Sequence, residues 1–180
     1  MRKTVIGALA LSAVVTAVLW RFAENNEICY SLWVTGITTL YHIGMRLLVG
    51  GAFRFWTPKN PEHKWFRERP WEKVFYRKIR IKHWKRLVPT YREEEFLFDR
   101  QRAAELLKST CRSEAGHTVM LALNFVPLLF SRFFGGFWVF FITSLAAGVL
   151  DLAPILVQRY NRPRLLRVLH NMQKNREIRS

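Results

Sequence analysis

The chain predicts an all-α integral membrane protein: about four transmembrane helices, with a basic, Trp-rich cytoplasmic or interfacial segment between the second and third. Three observations carry this reading. Residues 4 to 20, 28 to 45, 115 to 131 and 133 to 150 contain no Asp, Glu, Lys or Arg. Each block approaches the roughly 20 residues an α-helix needs to cross about 30 Å of hydrocarbon. Basic residues are also distributed unevenly. If all four blocks span, 26 of the 29 Lys and Arg fall on one side, against only Arg21 and Arg132 in the opposite loops, with Arg46 inside the second block. That bias marks the basic side as cytoplasmic. Finally, 180 residues with this patterning leave room for one membrane domain covering 1–180. The expected spans are about 4–20, 28–48, 115–131 and 135–157, with a segment over 53–113, a basic tail over 158–180 and both termini in the cytoplasm. The expected location is the cell membrane, crossed several times.

Met1-Arg2-Lys3 before an apolar run is also a signal-peptide pattern, and Val15-Thr16-Ala17 offers a small-residue cleavage end. The run exceeds a usual signal core, and cleavage would unbalance the topology, so it reads as a retained anchor. The second block carries Thr35, Thr38, Thr39, His42 and several glycines, which suit close helix packing in a bilayer. His42 there reads as a packed or hydrogen-bonded side chain. Cys29 and Cys111 fall on opposite sides of this topology, which disfavours a disulfide.

From Phe53 to Pro89, Trp56, Trp65, Trp71 and Trp84 alternate with Lys and Arg and are punctuated by Pro58, Pro61 and Pro70. Single-stranded nucleic acid grooves use such interleaving. Segments lying in the headgroup layer use it too, and beside four apolar blocks that reading is favoured, with membrane lipids and not nucleic acid as partner. Arg77 to Lys85 alternates as a short extended stretch would, whereas Trp71, Val74, Phe75 and Ile79 fit one helical face; periodicity leaves both open. Thr90 and Glu93 form a capping box that predicts a helix from about Tyr91 to Ser113, running directly into the third span. Pro127 predicts a kink, and Ser131 to Gly136 a short turn between antiparallel spans three and four.

Two places carry candidate chemistry. Glu114 and His117 stand three apart at the start of the third span, a spacing that puts both on one helix face. A carboxylate that orients an imidazole makes a general base at neutral pH. At the end of the fourth span, Pro154 to Leu165 runs P-I-L-V-Q-R-Y-N-R-P-R-L, placing Arg159, Arg162 and Arg164 beside Gln158 and Asn161 at a membrane boundary. Arginines there serve either as topology markers or as holders of phosphate and carboxylate groups. No P-loop, G-x-S-x-G or H-E-x-x-H is present, Glu114 to His117 is the one E-x-x-H, and no metal is expected.

Q-R-Y-N-R-P-R-L after the apolar P-I-L-V, R-S-E-A-G-H (Arg112 to His117), and W-K (Trp84, Lys85) downstream of F-Y (Phe75, Tyr76) together resemble the glycosyl-4,4'-diaponeurosporenoate acyltransferase family of staphyloxanthin-type carotenoid biosynthesis. The resemblance covers roughly residues 71 to 165. It implies transfer of a fatty acyl group onto a sugar hydroxyl of a glycosylated C30 carotenoid acid. Carried over by position are Arg112, Glu114, His117, Pro154, Gln158, Arg159, Tyr160, Asn161, Arg162, Pro163 and Arg164, with Trp84 and Lys85. His117 and Glu114 would be catalytic, and Arg112, Gln158, Arg159, Tyr160, Asn161, Arg162 and Arg164, with Trp84 and Lys85, would bind substrate. The implied partners are a lipid-linked glycoside acceptor, an acyl donor (acyl-CoA or acyl carrier protein) and other membrane enzymes of the carotenoid pathway; no cofactor is implied. The spacing from Phe75-Tyr76 to Trp84-Lys85 is longer than in the family, and Asp151 has no counterpart, so Asp151 is left out of the chemistry. The alternatives are another glycolipid or polyprenyl glycoside as acceptor, or a non-catalytic scaffold whose polybasic face recruits anionic lipid.

Overall fold

The computed structural model describes residues 2–23, 26–88 and 100–178. Among them there is helix and no strand. The helices are α1 (Arg2–Ala23), α2 (Glu27–Phe55), α3 (Pro70–Lys78), α4 (Ile81–Trp84), α5 (Arg100–Leu123), α6 (Pro127–Phe134) and α7 (Phe137–Glu177), with short 3-10 turns at Lys64–Phe66 and Lys85–Leu87. Among the described residues, three apolar stretches are long enough to cross a membrane: Glu27–Phe55, Ala103–Phe134 and Phe137–Lys174. Ala10–Ala23 of α1 is a shorter apolar helix.

Several local expectations are refined. The stretch from Arg77 to Lys85 is helical apart from a turn at Ile79 and Arg80, so the extended alternative falls. The left-handed backbone of Arg80 separates two short helices there, in place of a pleated strand. Thr90 and Glu93 lie outside the described residues; the described part of the helix they were to cap runs unbroken from Arg100 to Leu123. Pro127, with no N–H to donate, stands at the start of α6, and the chain crosses Asn124 to Val126 as a turn. Ser131 to Phe134 are helical, and the link to α7 is only Gly135-Gly136, with φ of 67° and 62°. These left-handed values are ones glycine adopts without a Cβ clash. The basic residues after Val157 continue α7 as helix instead of starting a separate tail.

The chain divides into two compact units, Met1–Gly51 with Val119–Asp151, and Ala52–Thr118 with Leu152–Ser180. In the first, buried side chains recur at helical spacing: Val34, Thr38, His42 and Met45 on α2, and Phe140, Ser144, Ala147 and Asp151 on α7. Gly36 permits the close approach of α1, because a Cβ there would collide with the hydroxyl of Thr16. Leu48, Leu129, Phe133, Trp138 and Leu150 stay exposed, as on helices surrounded by hydrocarbon.

The buried stripes of this unit also carry a polar network. Asp151 Oδ2 accepts from Arg46 Nη2 at 2.6 Å and from Asn124 Nδ2 at 2.7 Å, and His42 Nδ1 lies 3.1 Å from Asn124 Oδ1. Because Asn124 spends its amide on Asp151, its carbonyl oxygen faces His42, and Nδ1 must donate. Such interhelical bonds contribute about 0.6–2 kcal/mol each in a bilayer. Asn124→Leu is therefore expected to lower the melting temperature of the detergent-solubilised protein through loss of both bonds. An unchanged melting curve would show that the network contributes nothing to packing.

Candidate functional site

The second unit is built around a hydrophobic cluster of Tyr76, Ile81, Val88 and Val157, with Trp84, Leu156 and Tyr160 packed against it. Beside that cluster, four charged side chains meet. Arg159 and Arg162 stand three apart on α7 and so share one face. Arg159 donates through Nε and Nη2 to Glu72 Oε1 at 3.1 and 2.7 Å, and through Nη1 to Glu114 Oε1 at 2.7 Å. Arg162 Nη2 lies 2.5 Å from Glu114 Oε2 as a close ion pair. Two carboxylates thus balance two guanidiniums. Glu72, Glu114 and Arg162 are almost wholly buried.

Backbone carbonyls complete the cage. The 3-10 turn at Lys64–Phe66 is capped by His63, whose Nδ1 accepts from the Trp65 N–H at 3.2 Å. The turn aims the Trp65 and Arg67 carbonyls at Arg159, each at 3.2 Å, and the Phe66 carbonyl at Arg162 at 3.0 Å. The Phe66 ring also covers Arg162, with the guanidinium carbon 4.9 Å from its centroid. Pro61 and Pro70 bracket this loop, and Pro70 opens α3 so that Glu72 falls in its first turn.

Tyr76, one turn after Glu72, donates its hydroxyl to Glu72 Oε2 at 3.1 Å. Burial first, and then the charge of Glu72, push the Tyr76 hydroxyl well above its ordinary pKa. It therefore remains a neutral donor across the physiological range.

The other sequence-predicted residues fall into distinct settings. His117 is half-buried on α5, one turn beyond Glu114. Tyr160 meets Tyr76 edge-to-face at 5.5 Å; Lys85 Nζ lies 5.7 Å and the Arg164 guanidinium 5.0 Å from the Tyr160 ring centroid. Lys85 is buried, whereas Arg164 is exposed. Trp84 donates its indole N–H to the Ile79 carbonyl at 3.0 Å, and Arg112 donates to the Arg54 carbonyl at 3.2 Å. Asn161 is buried, and Gln158 half-buried, on α7.

Glu72 was not among the sequence-predicted residues. Its signal was there to read: it is the one acid between Arg69 and Val88, a stretch crowded with cations, and a lone carboxylate in such company at a helix start tends to be paired. Both cysteines are free thiols. Among the described residues no three His, Cys, Asp or Glu side chains gather closely enough to hold a metal ion.

No curated protein and no solved structure matches the chain. A family model described as glycosyl-4,4'-diaponeurosporenoate acyltransferase matches residues 62–171, a span that holds every member of the charged cluster, together with His117 and Tyr160. The chain belongs to the glycosyl-4,4'-diaponeurosporenoate acyltransferase family.

Proposed function

We propose that the protein transfers a fatty acyl group onto a sugar hydroxyl of a glycosylated C30 carotenoid acid at the cytoplasmic boundary of the cell membrane. The observation that carries this reading is the coincidence of the family match, residues 62–171, with the buried Glu72–Arg159–Glu114–Arg162 cluster. Four membrane-crossing segments, with α1 as the first, would leave both termini in the cytoplasm and bring the basic segments to the face where acyl thioesters are found. His117 takes the proton of the acceptor hydroxyl as its oxygen attacks the thioester carbonyl carbon. The C–O bond forms, the C–S bond breaks, and the proton passes from the imidazole to the departing thiolate.

Arg159 and Arg162 are engaged by internal partners, and we assign them a positioning role: they fix Glu114, and with it the turn of α5 that carries His117. Arg164, exposed against Tyr160, is the arginine of the stretch best placed to meet a substrate anion. The donor is acyl-CoA or acyl carrier protein, and no metal or cofactor takes part. Other membrane enzymes of carotenoid synthesis would supply the glycoside.

Cells that make the glycosylated carotenoid acid test this reading directly. Lipid extracts from cells with this protein should contain the glycoside heavier by one acyl group, and extracts from cells without it should not. Acylation of a different glycolipid, with the carotenoid glycoside untouched, would move the acceptor to another glycolipid or polyprenyl glycoside. No acylated product, together with normal behaviour of His117→Gln in cells, would leave the non-catalytic scaffold. Orientation is checked with reporters: one fused after Ser180 and one near Pro89 should read cytoplasmic, and one between Arg21 and Glu27 should read outside. A C-terminus outside would remove the site from the compartment of its donor.

A further inference from the structure

A recess of about 350 Å³ opens where α3 turns into α4 in the second unit. Its lining brings together four cations, Lys73, Arg77, Arg80 and Lys82, against one carboxylate, Glu68, which lies 3.8 Å from Lys73. Tyr76 and Tyr160 supply its aromatic wall. The recess has the volume of a small-ligand pocket.

Arg80 is the anomalous residue in this lining. Its φ of 50° and ψ of 44° make it the one non-glycine residue with positive φ among the described residues. The turn it makes sends Ile81 into the buried cluster with Tyr76 and Val157. A glycine would adopt that conformation at no steric cost, whereas a side chain there is strained. The chain nonetheless carries a guanidinium at this point, with neighbouring cations converging on the same hollow. Strain of this kind gathers at ligand-binding positions.

We propose that this recess binds the diphosphate of a coenzyme A thioester, the acyl donor. This rests on the acyl-transfer reading above. The excess of cations matches a diphosphate, and a guanidinium offers it paired N–H donors. Concavity selects a small anion, because a membrane surface or an acidic protein would meet its cations across a flat or convex face. Contiguity ties the recess to the charged cluster: Tyr76, part of its wall, donates to Glu72, which Arg159 joins to Glu114 on the helix that carries His117. Arg77, Arg80 and Lys82 are exposed, and none of them forms an ion pair with a described residue.

The test measures binding of unacylated coenzyme A to the purified full chain in detergent, so that it does not depend on turnover. Arg80→Gly suits the backbone and removes only the side chain. It should weaken coenzyme A binding on the order of tenfold, the scale of a lost charged hydrogen bond, without lowering the melting temperature. Adding Arg77→Ala and Lys82→Ala to Arg80→Gly gives a triple variant that should weaken binding further, and its KM for acyl-CoA should rise in parallel while kcat is held. Coenzyme A affinity within twofold of wild type in the well-folded triple variant would overturn the proposal, even if acyl transfer itself is confirmed. So would displacement of coenzyme A by short-chain phosphatidylglycerol at lower concentration than by coenzyme A itself, which would make the recess a headgroup site. Equal use of acyl carrier protein by wild type and triple variant, with coenzyme A not bound by either, would also overturn it. If wild type binds coenzyme A, Arg80→Gly weakens that binding, and no lipid gains an acyl group, the recess stands and the acyl-transfer reading fails.

Discussion

His117→Ala is expected to lower acyl transfer by about 10²- to 10⁴-fold with little change in the KM for either substrate, the usual contribution of a positioned acid-base group. The side chain is half-buried, and melting of the purified variant separates loss of the base from loss of fold. His117→Gln keeps a polar side chain but cannot take up a proton at neutral pH, so its loss should match that of alanine. Near-normal transfer by a well-folded His117→Ala protein would remove the imidazole from the mechanism.

Glu114→Gln is expected to act on stability as strongly as on rate. In sequence, Glu114 reads as the orienting partner of His117, which would make the amide a mild change. The structure adds Arg159 on one of its oxygens and Arg162 on the other, with Glu114 and Arg162 both almost wholly buried. Taking away one member of a buried ion pair costs about 3–5 kcal/mol, because the charge left behind is neither hydrated nor balanced. Glu114→Gln should thus melt well below His117→Ala. Replacing Glu114 and Arg162 together with apolar residues of similar volume should recover much of that stability without recovering activity. If Glu114→Gln melts like wild type, the two pairs add nothing to the fold, and the positioning role assigned to the arginines fails with them.

What could be read in the sequence was whatever depends on neighbours along the chain. Uncharged runs announced the long apolar helices, since hydrocarbon excludes charge whatever the rest of the chain does. Pro127 announced a break and Ser131 to Gly136 a turn, which the structure narrows to Gly135-Gly136, because the backbone restrictions of proline and glycine are local. The Gln158 to Arg164 motif, with Arg112 to His117, was specific enough to name the family. The E-x-x-H spacing put Glu114 and His117 on one face, but helical periodicity speaks only for partners on the same helix.

Everything that crosses between helices needed the tertiary structure. Arg159 looked available for a substrate phosphate until Glu72, 87 residues earlier in the chain, was found holding it. Asp151 matched nothing in the family and was set aside; folding joins it to Arg46 and, through Asn124, to His42. In sequence, Lys73 to Lys82 belongs to a basic segment suited to the headgroup layer; the left-handed turn at Arg80 bends it around a recess. The sequence by itself determined the long apolar helices and the family, because propensity and hydrophobic spacing act over a few residues. Only the tertiary structure decided which charges neutralise one another, because pairing depends on distance in space, and burying an ion is tolerated only where its partner is already in place.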